Sequence, residues 1–333
     1  MRMNKRVLGL AVSISILVFV LLNTNFKRVL ESFSVISLEA ILVAFIINVI
    51  GAVVLNTSQI YQHYFPFIKE KNHVSTYFRL LQVDFIIRYY SLVMPTAVTA
   101  VVKWHLFNKI GINKTFSGLA LIVNKLLNLF FIFLFSSLAF FFLIKSDSSH
   151  QLLFVLSTCL AILLFLVILF FLSEVGVKSA KKFFYYVMKL PIRFLKEPSK
   201  KVFRSVAEFN RDFKSSKKCP LLNTLLIFVW PLLSFFVVAY SQMLVVNAIG
   251  YNVSIVEALF LRAAVLLAMM IPVSFAGIGF REVGVISVLG LYAISSEDAL
   301  AVSLVLFGFQ IIISFIGFLL LFFNSFRFEP KKC

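Results

Sequence analysis

The chain has 333 residues, of which 61% are hydrophobic and 14% charged, and its mean hydropathy is +1.00. A water-soluble domain of that composition would leave a very large apolar surface in water, so the bilayer is the solvent for most of this chain. The formal net charge of +18, from 32 Lys plus Arg against 14 Asp plus Glu, sits mainly between the apolar runs; that is the pattern of cytoplasmic loops, and no folded soluble module accompanies it to suggest nucleic-acid binding.

The N-terminus, MRMNKR followed by VLGLAVSISILVFVLL, is built like a signal sequence, but the following NTNFKRVLES has no small-x-small cleavage pattern. Val7 to Leu22 is therefore expected to be an uncleaved first span, and Val35 to Leu55 the second. Residues 77–101 are less clean: YFRLLQVDFIIRYYSLVMPTAVTAV carries Arg79, Asp84, Arg88 and Pro95. After the basic stretch 102–116, with Lys103, Lys109 and Lys114, come two apolar runs, Ser117 to Ile144 and Leu152 to Leu172. Residues 174–220 mix thirteen cations with aromatic and aliphatic residues, which suits a topology-setting cytoplasmic loop or an interfacial segment that binds anionic lipid. Leu221 to Ala248 and Leu300 to Asn324 are again apolar, and between them residues 255–294 carry Glu257, Arg262, Pro272, Arg281 and Glu282.

Basic segments near span ends stay in the cytoplasm, which places the N-terminus, residues 102–116, residues 174–220 and the C-terminus inside. Two spans then return the chain to the cytoplasm near residue 56, so residues 77–101 have to cross an even number of times. At 1.5 Å per residue they reach roughly 37 Å, enough for one tilted crossing and too little for two. A re-entrant hairpin meets both conditions; the alternative is one ordinary span with a loop at 102–116 that breaks the charge rule. Residues 255–294 make the same even excursion from the opposite side. The expected fold is all-α: a polytopic transmembrane bundle of two inverted repeats, 1–173 and 221–333, joined by the basic segment 174–220, each repeat holding a re-entrant broken helix.

Non-helical backbone at membrane depth is tolerated only where protein or a water-filled cavity satisfies it. Pro272 followed by SFAGIGFRE therefore marks a broken helix, with Gly277 and Gly279 allowing the turn and Arg281-Glu282 opening the next half-helix. Backbone N–H groups at such an N-terminus, beside an arginine, form a seat for an anion such as a lipid phosphate. Arg88 and Lys125 are further candidate cations at depth, and Lys103 and Lys125 can guide a headgroup from the cytoplasmic side. Asp84 with Arg88 reads as a helical i,i+4 pair, and Arg262 and Glu257 as interfacial residues. The cysteines Cys159, Cys219 and Cys333 and the histidines His63, His73, His105 and His150 lack metal-ligand or disulfide spacing. No metal or other cofactor is expected, and no GxSxG, Walker, HExxH or DxD pattern occurs.

PVSFAGIGFRE, with the VGVISVLGLYAISSEDALAVSLVL that follows, resembles the membrane region of the lysylphosphatidylglycerol synthases and their stand-alone flippase-like relatives. The resemblance rests on Gly277, Gly279, Arg281 and Glu282, which stand at the family's GIG-x-RE. The family's first half shows Pro-Gly-x-x-Gly-Glu-x-x-Arg and later a Glu-Arg pair. Here Pro95 stands, Lys103 takes the Arg place and Lys125 the Arg of the pair, while Thr96, Thr99, Ala100 and Asn124 replace the glycines and glutamates. The aminoacyl-transferring domain has no counterpart in the sequence, so synthesis of lysyl-lipid is not expected.

The resemblance implies a transporter-like protein: a translocase of the inner membrane, with both termini cytoplasmic, that moves a phosphate-bearing lipid or lipid-linked glycan. Its partners are then membrane lipids with anionic or phosphate-bearing headgroups, and beyond them a second copy of the chain or a protein of envelope biosynthesis. The alternative from another class is a membrane-embedded transferase or an assembly subunit of an envelope polysaccharide or glycolipid pathway.

Overall fold

A computed structural model of the protein describes residues 15–16, 18–22, 24–64, 73–94, 96–110, 114–144, 150–172, 220–270 and 277–323. The basic segment 174–220, Pro95 and Pro272 thus lie outside the described residues, apart from the first residue of the helix that begins at Pro220. Every regular element among the described residues is helical. The first is α1 (Phe26–Val35), capped by the Asn25 side chain, followed by α2 (Leu38–Val49), capped by Ser37. A π-helical stretch, Ile50–Leu55, carries α2 without interruption into α3 (Asn56–Tyr64). Then come α4 (His73–Val93), α5 (Thr96–Lys109), α6 (Lys114–Ile144) and α7 (Gln151–Leu172). The second half holds α8 (Pro220–Ala248), α9 (Ile255–Met270), α10 (Phe280–Gly290) and α11 (Ser296–Phe323).

Five helical stretches are long and apolar enough to cross a bilayer: Leu38–Gln62, Leu121–Leu143, Gln151–Ile168, Phe228–Ala248 and Ser296–Phe323. They fall on the apolar runs expected from the sequence, with one correction. The second span does not end at Leu55; the helix continues to Tyr64 through the polar run Asn56-Thr57-Ser58-Gln59. Those polar groups are held inside the protein, where Gln59 Nε2 donates to Asn124 Oδ1 at 2.8 Å and Ser58 Oγ lies 3.1 Å from the Tyr77 hydroxyl. The two stretches expected to be irregular each hold two helices: α4 ends at Val93 and α5 begins at Thr96, and α9 ends at Met270 and α10 begins at Phe280.

Each such pair lies against the long helix of the other half, α4 on α11 and α9 on α6. Between α4 and α11 the approach is backbone to backbone: a Cβ built on Gly317 would fall 2.0 Å from the Phe85 carbonyl oxygen. On the other side of the bundle Gly51 of the π stretch meets Val237 and Val238 of α8, where a Cβ would come within 2.8 Å of Val238 Cγ2. Hydroxyls seal that seam, Ser241 donating to the Ala44 carbonyl at 2.7 Å and Ser234 to the Gly51 carbonyl at 2.8 Å. Small residues serve this purpose where lipid offers no hydrophobic drive between helices and association rests on close packing and interhelical hydrogen bonds.

The main core gathers Val245, Leu261, Val285, Leu289, Leu300 and Val302 from α8 to α11. α1 is tied to it by Asp298 of α11, which accepts from Ser32, Tyr251 and Ser295, each at 2.6 Å. The outer faces are apolar and exposed, for example Leu152, Leu163 and Phe315, as lipid-facing surface should be.

The Gly317 contact leaves no room for a methyl group. Gly317→Ala is expected to lower the apparent Tm of the detergent-solubilised protein by several degrees, whereas Gly308→Ala on the same helix, where a Cβ meets nothing within 4 Å, leaves it unchanged or slightly raised. Equal thermal behaviour of the two variants would refute the close contact.

Candidate functional site

α10 starts at a turn that only glycine adopts without strain. Gly277 and Gly279 have φ of +77° and +84°, a region costly for residues with a Cβ. The turn makes room for Met269, whose Cγ would stand 3.1 Å from a Cβ on Gly277. Glu282, three residues past Gly279, reaches back so that Oε2 accepts from the Gly279 N–H at 2.6 Å, as a capping carboxylate does. Its other oxygen, Oε1, takes Nη2 of Arg281.

Arg281 and Glu282 are 2% and 1% exposed. Ser303 of α11 bridges them, accepting from Arg281 Nε at 3.3 Å and lying 3.5 Å from Glu282 Oε1. The Phe307 ring, 4.3 Å from the guanidinium carbon, covers one face, a favourable cation–π placement. Arg281 Nη1 is buried and has no partner among the described residues. Ser303 and Phe307 lie one third of the way along the span Ser296–Phe323, so the guanidinium sits roughly 10–16 Å below the start of that helix.

A second charged group lies further along α11. Asp84, 3% exposed, accepts from Arg88 Nε at 3.3 Å and from Asn56 Nδ2 at 2.9 Å, and Lys103 Nζ stands 4.0 Å from it. Arg88 Nη2 donates to the carbonyl of Ala52 in the π stretch, and the Arg88 carbonyl accepts from Ser314 of α11 at 3.1 Å. Lys103 also lies over the Phe107 ring at 5.7 Å. Ala52 is interior to the span Leu38–Gln62, roughly 21 Å from one end and 15 Å from the other, so this cluster is at hydrocarbon depth. Ser303 and Ser314, the α11 contacts of the two groups, are eleven positions apart, roughly 16 Å along the helix.

Of the residues singled out from the sequence, Gly277, Gly279, Arg281 and Glu282 form one constellation, and Arg88 with Lys103 form the other. Lys125 is not brought to either: it is exposed on α6, next to Asn124, which instead holds Gln59. Asp84 does form the i,i+4 pair with Arg88 but also draws in Lys103 and Asn56, a convergence that local spacing does not reveal. Ser303, Phe307, Asn56 and the Ala52 carbonyl were not visible as site groups in the sequence. The one available signal was NTSQ directly after an apolar run, polar residues that stay within the helix.

A buried ion pair in a bundle of helices long and apolar enough to cross a bilayer fits a multi-pass membrane protein. The family model described as lysylphosphatidylglycerol synthase TM region matches residues 6–317. The chain belongs to that family, and the part it matches is the transmembrane region. No curated protein and no solved structure gives a significant match.

Removing one member of a buried ion pair strands the other charge, which typically costs 3–5 kcal/mol, whereas replacing both is far milder. Arg281→Met is therefore expected to destabilise the protein by about that amount, and the double variant Arg281→Met/Glu282→Gln, which keeps the cap to Gly279, to recover most of it. Thermal unfolding of both in detergent checks this; equal losses would mean that the pair carries no mutual stabilisation.

Proposed function

We propose that the protein is a lipid translocase of the inner membrane that moves a phosphate-bearing lipid or lipid-linked glycan, with Arg281 and the start of α10 as one phosphate station. The observation that carries the reading is the pair of charged groups, Arg281–Glu282 and Arg88–Asp84–Lys103, whose contacts with α11 lie roughly 16 Å apart along that helix. Ionised side chains at such depth are costly, by about 2.5–3.5 kcal/mol on insertion scales, and mark pathways for charged cargo. Two stations at different depths divide the passage of one headgroup into shorter steps.

The crosswise packing, α4 on α11 and α9 on α6, supports two inverted repeats whose broken helices, α4–α5 and α9–α10, re-enter from opposite sides. In the resting arrangement Glu282 occupies Arg281. An arriving phosphate would compete for the guanidinium, using Nη1 first, and free Glu282 to pair with a cation or carry a proton. With its basic segments kept on the cytoplasmic side, the protein has both termini in the cytoplasm on this reading.

The test is transbilayer exchange in proteoliposomes. Protein reconstituted in phosphatidylcholine vesicles is expected to make headgroup-labelled phosphatidylglycerol or phosphatidic acid accessible to a membrane-impermeant quencher faster than protein-free vesicles do. Arg281→Met/Glu282→Gln, expected to fold but to lack the station, is expected to return exchange to the protein-free rate. Undiminished exchange by that variant overturns the assignment.

A further inference from the structure

α1 keeps an apolar edge that the described part of the protein does not cover. Phe26, Val29, Leu30 and Phe33 stand at i, i+3, i+4 and i+7, one stripe of a helix. The bundle takes part of that stripe: Val29 is fully buried and Phe33 packs against the main core, while Phe26 and Leu30 are 56% and 54% exposed. Lys27, Arg28, Glu31 and Ser34 lie off the stripe and are exposed too. An apolar edge beside a charged face, on a helix that is not itself a span, is the pattern of a helix lying in the plane of a membrane surface.

The level of α1 is fixed by what it is joined to. Its ten residues reach roughly 15 Å, about half of the ~30 Å of hydrocarbon, so it cannot cross. Nor does it prolong its neighbour, because Ile36 and Ser37 are extended and α2 starts afresh from the Ser37 cap. Three residues past the end of α1, Leu38 opens the span Leu38–Gln62. On the other side Ser32 donates at 2.6 Å to Asp298, in the first turn of the span Ser296–Phe323. α1 therefore lies where two membrane-spanning helices begin. Leu38 and Leu42 are exposed as well, so lipid-facing surface starts directly beyond it.

We propose that α1 is an interfacial helix, with Phe26 and Leu30 seated in the headgroup–acyl boundary of the bilayer and Lys27, Arg28 and Glu31 on the water side. The partner of this surface is the lipid itself. Two side chains offer far less than the roughly 800 Å2 a side that a specific protein interface buries, whereas a lipid boundary requires no matched counterpart. Through Ser32 and Asp298 the helix then pins the start of α11 at the membrane surface. The assignment needs only that the bundle spans a bilayer and stands apart from the translocase reading.

The experiment is spin labelling of the full chain in phosphatidylcholine vesicles. Phe26→Cys, Lys27→Cys, Leu30→Cys and Glu31→Cys are made singly in a chain whose Cys159, Cys219 and Cys333 are replaced by Ser, and each new thiol carries a nitroxide. All four positions are exposed, so a label there leaves the packing intact. Power saturation then compares collisions with oxygen, which concentrates in lipid, against collisions with a water-soluble nickel chelate. The labels at 26 and 30 are expected to show an oxygen-to-nickel ratio severalfold higher than those at 27 and 31. Four labels that all favour nickel would put α1 in water, and four that all favour oxygen would submerge it in hydrocarbon; either result overturns the proposal. Labels at 26 and 30 shielded from both reagents would mean that protein covers the edge, which overturns it as well.

Discussion

In hydrocarbon a charged or polar group has no water to turn to, so the protein has to supply every partner. The pair Arg281–Glu282 is the point on which this constraint bears hardest. Glu282 caps the N-terminus of α10, neutralises Arg281 and meets Ser303, so three obligations are met by one carboxylate. Gly277 and Gly279 both take a positive φ, so α10 starts from a turn that no side chain obstructs. Phe307 completes the enclosure by facing the guanidinium with an aromatic ring. The chemistry of the site and the start of α10 are thus one structure.

The same constraint orders the first half differently. There the backbone itself acts as a ligand: the π-helical stretch presents the carbonyls of Gly51 and Ala52, which accept from Ser234 and Arg88. Such stretches recur at functional positions because they shift the register of side chains beyond them. Downstream of it, Asn56 turns toward Asp84 and Gln59 toward Asn124. A local change in winding therefore sets which polar side chains reach the interior.

How much of this was legible in the sequence depended on whether the signal was local. Apolar length gave the five long spans, because crossing hydrocarbon needs a run that no other feature imitates. Charge inside apolar sequence marked residues 77–101 and 255–294, and GIG-x-RE located the turn before α10. What could not be read was the partner of each charge, since Ser303 and Arg281, or Lys103 and Asp84, meet only through tertiary packing. The π stretch was invisible because IGAVVL is an ordinary apolar run. That Lys125 stands apart from both charged groups was hidden for the complementary reason: a cation in an apolar run does not declare which face of its helix it occupies.

The contact of Gly317 with the Phe85 carbonyl has a mechanical meaning. Where two helices touch through their main chains, no side-chain layer remains to repack as one slides past the other. α4 and α11 consequently behave as a single beam that spans the two halves of the molecule. Any relative movement of the remaining helices has to leave that beam intact.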